Sequence, residues 1–112
     1  MKLLICGSRK ITDFDLAPHI PEDCDTIISG GAKGVDTIAE DYAKTHGIPC
    51  ITVLPDYQRY GTKAAPIKRN EQMVDMADAV LAIWDEVSKG TKHTIDYAEK
   101  SRKQTTVIIR KI

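Results

Sequence analysis

Net charge is the first thing this chain lacks: sixteen Lys and Arg side chains balance sixteen Asp and Glu, and the isoelectric point is near 6.8. No global field draws it to nucleic acid or to an anionic membrane, so any anion binding must be local. No apolar run approaches the length of a membrane span or a signal-peptide core, and the reading places the chain in the cytoplasm, away from membranes. Cysteine is sparse as well. Cys6, Cys24 and Cys50 are odd in number and isolated, which excludes a disulfide framework and suits reduced, buried thiols. His19, His46 and His93 are scattered without ligand spacing, so no metal is expected, and no internal repeat or low-complexity segment occurs.

What is present suits a single domain over residues 1–112, because 42% hydrophobic content in a chain of this length supplies one core. Its organising stretch is Asp25-Thr-Ile-Ile-Ser-Gly-Gly-Ala-Lys-Gly-Val-Asp36. Thr26, Ile27 and Ile28 have the β-branched, uncharged composition of a strand buried on both faces of a parallel sheet. Ser29-Gly30-Gly31 breaks the run. Beyond Gly34 the apolar residues Val35, Ile38, Ala39, Tyr42 and Ala43 follow the spacing of one helix face. Strand, glycine turn and helix therefore adjoin, and that junction suits an anion: the first helical turn has unpaired N–H groups and partial positive charge, and glycine permits their close approach. Phosphate is the usual guest, with Ser29 offering a hydroxyl and Lys33 a charge. The spacing of Gly30, Gly31 and Gly34 matches neither a Walker A loop nor the Gly-x-Gly-x-x-Gly dinucleotide fingerprint, and no cofactor is expected.

Four further strands are read at Lys2–Cys6, Cys50–Leu54, Ala79–Trp84 and Thr105–Ile109. The first ends in Gly7-Ser8-Arg9, where Arg9 offers a forked donor for phosphate or carboxylate. Thr12 or Asp13 is read as the cap of a short helix through Phe14, Leu16 and Ala17, cut off by Pro18 and Pro21. His46-Gly47 stops the helix that follows the central strand. Residues 55 to 66 read as the longest loop, and with Arg59, Lys63, Lys68 and Arg69 nearby and the Tyr57 and Tyr60 rings available for base stacking, a mobile lid is one reading. A helix through Ile67, Met73, Val74 and Ala77 carries Arg69 and Asn70 in its first turn. After Trp84, Ser88-Lys-Gly90-Thr91 turns into a last helix with Thr91 as its N-cap.

Strands alternating with helices require right-handed crossovers and a parallel sheet, so the fold expected is a Rossmann-like α/β domain with a five-stranded, mainly parallel sheet covered on both faces. In such sheets ligands lie beyond the carboxyl ends of the strands. Gly7-Ser8-Arg9, Ser29-Gly30-Gly31, the 55 to 66 loop, Trp84 and Gly90-Thr91 all follow strand ends and should share one rim.

Gly7-Ser8-Arg9, Ser29-Gly-Gly-Ala-Lys-Gly-Val-Asp36, Ala64-Ala-Pro-Ile-Lys-Arg-Asn70 with Met73, and Gly90-Thr91 together resemble the SLOG superfamily, over nearly the whole chain and most nearly its small YspA/YpsA-related branch. The central segment is similar to the corresponding one of the DNA-processing protein DprA/Smf, and the plan is similar to the LOG phosphoribohydrolases. The resemblance implies a pocket for a nucleotide-derived small molecule, an NAD or ADP-ribose derivative among the candidates. In it Gly30, Gly31 and Gly34 approach the phosphate, Ser8 and Arg9 line the wall, Arg69 and Asn70 face ribose or phosphate, and Gly90-Thr91 close the far side. Asp36 holds Arg9 or a helix N-terminus. The resemblance also implies a homodimer. Where LOG hydrolases carry Pro-Gly-Gly-x-Gly-Thr-x-x-Glu, this chain reads Ser88-Lys-Gly-Thr-Lys-His-Thr-Ile-Asp96, without the glutamate at its place. Binding or sensing therefore ranks first, with N-glycosidic cleavage of a nucleoside phosphate second, Asp36 or Asp85 standing in for the missing carboxylate. Single-stranded DNA binding ranks third for want of a basic stripe.

Overall fold

The two most central segments of the chain are also its least polar. In the computed structural model, which describes residues 1–112, Lys2–Gly7 forms β1 and Ala79–Trp84 forms β4, with every residue from Leu3 to Cys6 and from Ala79 to Ile83 buried. They pair with each other in parallel, Leu4 opposite Val80 and Cys6 opposite Ala82. Outside them lie β2 (Thr26–Ser29) and β3 (Cys50–Thr52) on one side and β5 (Gln104–Ile109) on the other, giving the order β3-β2-β1-β4-β5 with all neighbours parallel. Strands with helices on both faces need apolar residues at successive positions, and that is what β1 and β4 supply.

Alternation along the strands divides the core in two. Leu3, Ile5, Ile27, Leu81 and Ile83 pack beneath α1 (Val35–Thr45), whose Val35, Ala39 and Ala43 are fully buried. Leu4, Cys6, Ile28, Val80 and Ala82 face the opposite way, against Met73 and Val74 of α2 (Tyr57–Met76) and Ile95 and Ala98 of α3 (Lys89–Lys100). The Rossmann-like reading therefore stands, with a sheet that is parallel throughout. No helix is long and apolar enough to cross a membrane.

Several local expectations are corrected. Residues 55 to 66 are mostly helical: Asp56 caps a turn by accepting from the Arg59 N–H at 3.1 Å, Gly61 interrupts it at φ 78°, ψ 175°, and the helix resumes to Met76 with Pro66 inside. Glycine and proline both signal a loop, but here Gly61 marks only a break and Pro66 falls early in the resumed helix. The N-cap of α3 is Ser88, whose Oγ accepts from the Thr91 N–H at 3.3 Å, so Thr91 sits inside the first turn. Between β1 and β2 only a 3-10 turn forms, Ala17–His19, held by Asp15 accepting from the Ala17 N–H at 3.1 Å; neither Thr12 nor Asp13 caps it. Ile11 and Leu16 anchor that segment in the core. The strand expected over Cys50–Leu54 stops at Thr52. Of the three free thiols only Cys6 is buried; Cys24 is half-buried and Cys50 is exposed on the edge strand. The His46-Gly47 stop holds: Gly47 takes φ 66° and the Ile48 N–H reaches back to the Ala43 carbonyl at 2.8 Å.

Candidate functional site

The strand order reverses between β1 and β4, the place where loops on neighbouring strands leave in opposite directions and open a crevice. A cavity of about 250 Å³ lies there, lined from β1 and its loop by Cys6, Gly7 and Arg9, from the turn into α1 by Ala32 and Asp36, from α2 by Pro66, Arg69, Asn70 and Met73, and from α3 by Ser88, Gly90, Thr91 and Thr94.

Gly7 and Gly34 set how closely the elements meet. A Cβ on Gly7 would run into the Ile83 carbonyl and come within 2.6 Å of Val35 Cγ2; one on Gly34, at φ 75°, would strike the Ser8 carbonyl and come within 2.6 Å of Arg9 Cα. Ser8 is buried and stitches the two loops of the crevice together, donating from Oγ to Asp85 Oδ2 at 2.7 Å and accepting from the Lys10 N–H at 3.2 Å. Asp85 also accepts from the N–H groups of Val87 and Ser88 at 2.9 and 2.8 Å. These bonds, that from Ser88 foremost, hold its carboxyl below the usual range.

Three amides in and just after the glycine-rich turn are already in use. Gly31 N–H donates to Ser29 Oγ at 3.2 Å, Ala32 N–H to Asp36 Oδ2 at 3.1 Å, and Val35 N–H to the Ser8 carbonyl at 3.2 Å. Ser29 itself donates to Glu40 at 3.1 Å, which Thr52 of β3 also reaches at 3.2 Å. Gly30 and Gly31 shape the turn rather than line the cavity, which the first turns of both α1, through Asp36, and α3, through Gly90 and Thr91, reach. Lys33 is exposed and outside the lining.

Arg69 is the most engaged cation. Its Nη1 donates to the Gly30 carbonyl at 2.6 Å and more weakly to that of Val53 at 3.4 Å, and Nε donates to Asn70 Oδ1 at 2.8 Å. No hydrogen bond takes up Nη2, and neither Arg69 nor Arg9 belongs to an ion pair. Burial lowers the Arg69 pKa, against the pull of Asp36. Asp36, 8% exposed, is pushed above the ordinary carboxylate range by burial, with the Ala32 N–H, Arg69 and Arg9 acting the other way. It fastens the turn before α1 and makes no bond to Arg9.

Of the residues the sequence singled out, the fold thus gathers Gly7, Arg9, Asp36, Arg69, Asn70, Gly90 and Thr91 on one cavity, with Ser8, Ser29, Gly30, Gly31 and Gly34 immediately behind it. Tyr60 and Trp84 stand apart: Arg59 lies over the Tyr60 ring at 5.3 Å, and the Trp84 indole donates to the Ser88 carbonyl at 3.0 Å. Cys6, Ala32, Pro66, Met73, Ser88 and Thr94 line the cavity without having been singled out for it. A signal existed, because Pro66, Arg69, Asn70 and Met73 keep the i, i+3, i+4, i+7 spacing of one helical face, but the loop reading of residues 55 to 66 concealed it.

A parallel sheet of this order, with helices on both faces and a two-arginine crevice at its reversal, is a Rossmann-like arrangement. The family model for the YspA, cpYpsA-related SLOG family matches residues 1–60, and the chain belongs to that family. The match spans β1 to the first turn of α2, so Arg69, Asn70, Gly90 and Thr91 lie beyond it. Membership suggests nucleotide-related binding or glycosidase-like activity. Searches of curated proteins and of solved structures return no match.

Proposed function

We propose that the crevice binds a phosphate-bearing, nucleotide-derived small molecule, an NAD or ADP-ribose derivative being one candidate class. The observation that carries this is the convergence of Arg9 and Arg69, from opposite halves of the chain, on one cavity where neither forms an ion pair and Asp36 is the one carboxylate in the lining. A forked guanidinium suits phosphate, and the α3 N-terminus adds positive potential from the facing wall. The Asn70 amide and the Ser88 and Thr91 hydroxyls supply donors and acceptors of the kind a ribose requires. Titration calorimetry with AMP and ADP-ribose tests the reading. Arg69→Ala and Arg9→Ala are each expected to weaken binding about 10- to 100-fold, the value of a charge-assisted hydrogen bond. Absence of binding to the unaltered protein, or affinity indifferent to both substitutions, would refute it.

Asp36 favours a second reading, N-glycosidic hydrolysis. It is the one carboxylate in the cavity lining, buried and with a raised pKa, whereas Asp85 is fully engaged and Asp96 is exposed and paired with Lys92 at 3.0 Å. In such a reaction the bond between ribose C1′ and the base nitrogen breaks. Water adds at C1′, and its proton passes to the carboxylate and on to the departing base. Release of free base from nucleoside monophosphates, abolished by Asp36→Asn, is the result this reading requires.

A further inference from the structure

The outer edge of β5 is built to pair. β5 closes one side of the sheet, with β4 as its one neighbouring strand. Along a parallel ladder, alternate residues turn their backbone groups to the same side. The Arg110 N–H reaches inward to the Trp84 carbonyl at 2.8 Å, so Thr106 and Ile108 turn toward β4 with it. Thr105, Val107 and Ile109 therefore aim N–H and C=O off the edge. Their side chains share the face of Val80, Ala82 and Trp84, beside α3, where Val107 and Ile109 remain exposed. We propose that two copies of this chain associate through this edge, antiparallel about a two-fold axis, so that their sheets run on into one another.

Folded proteins ordinarily blunt an edge by charge, proline or brevity. β3, the opposite edge, is blunted: three residues between Pro49 and Pro55. β5 is not. Its six residues include neither charge nor proline, and the cations beside it are drawn onto their own chain. Lys103 Nζ donates to the Ala77 carbonyl at 2.7 Å, Arg110 lies over the Phe14 ring at 5.9 Å, and Lys111 pairs with Glu86 at 3.3 Å. A second β5 approaches without meeting like charge. The occupant is another copy because the strand complements itself. Pairing centred on Val107 sets Val107 opposite Val107, Thr105 opposite Ile109 and Thr106 opposite Ile108. Outward backbone groups then meet outward ones, each side chain keeps its face, and every facing pair is uncharged. The three outward pairs exchange about six backbone hydrogen bonds, within the roughly 10 ± 5 of a typical interface. One open and one blunted edge per chain close the assembly at two, where two open edges would build a fibre.

Sedimentation velocity and residue-resolved amide exchange test the proposal. The unaltered chain is expected to sediment as a dimer that dissociates on dilution, and the Thr105, Val107 and Ile109 amides should lose their protection with it, while those of Thr106 and Ile108, bonded to β4, keep theirs. Val107→Lys sets two lysines face to face on the axis and should yield a monomer with an unchanged far-ultraviolet circular dichroism spectrum; Cys50→Lys, on the blunted edge, should leave the dimer intact. A monomer at every concentration, a dimer that survives Val107→Lys, a dimer in which the Thr105, Val107 and Ile109 amides exchange freely, or assembly beyond two copies would each overturn it. If Val107→Lys fails to fold, the exchange pattern of the unaltered chain decides alone.

Discussion

Asp36 and Asp85 stand close to one crevice yet respond to pH in opposite senses, because one is dry and the other is richly hydrogen-bonded. Burial raises Asp36 in the folded state above its value in the unfolded chain. Its contribution to stability is therefore full below the unfolded carboxylate value, about 3.9, and declines as pH rises through the folded one. Asp85 is depressed by the Ser88 N–H and its neighbours, so its contribution is full above the unfolded value and disappears as pH falls through the folded one. Asp36→Asn keeps an acceptor for Ala32 and removes the buried charge. Urea melts should find the variant more stable than the unaltered protein at neutral pH, with the gap closing toward about pH 4. A variant less stable at neutral pH would mean that attraction to Arg69 outweighs burial. Asp36 was legible in the sequence as a first-turn acid; its dryness was not, since that depends on α2 folding over it.

Among the elements, α2 departs furthest from what its residues suggest. Gly61 and Pro66 read as loop punctuation, and packing of Met73 and Val74 against the sheet and α3, with Ala65 buried as well, draws the segment into a helix. Gly61 keeps a trace of the conflict, at φ 78° and ψ 175°, a region open essentially to glycine alone. A Cβ there would meet nothing within 4 Å, so the cost of Gly61→Ala is purely conformational, about 1–3 kcal/mol. Thermal melts should place it several degrees below the unaltered protein; an unchanged midpoint would mean the turn over Tyr57–Tyr60 relaxes freely. β4 presents no such conflict, and its observed limits coincide with those read from the sequence because six uncharged residues in a row have nowhere to go but the sheet centre.

At the scale of the molecule, the strand order leaves two edges, and they are unequal. β3 has three residues flanked by Pro49 and Pro55, whereas β5 has six, with Val107 38% and Ile109 46% exposed. A long β-branched edge is a template for unwanted pairing. Val107→Lys should reduce light scattering during thermal unfolding without altering the sheet; equal scattering would place the liability elsewhere. The sequence by itself determined the alternation of strands and helices, the parallel sheet and most of the rim, since hydrophobic period and glycine position are local properties of a chain. Only the tertiary structure decided what the rim's groups do. It turned the Gly31, Ala32 and Val35 amides onto Ser29, Asp36 and Ser8, and brought Arg9 and Arg69 to one cavity without an ion pair. Hydrogen bonds between residues far apart in the chain are settled by proximity in space, which no local pattern encodes.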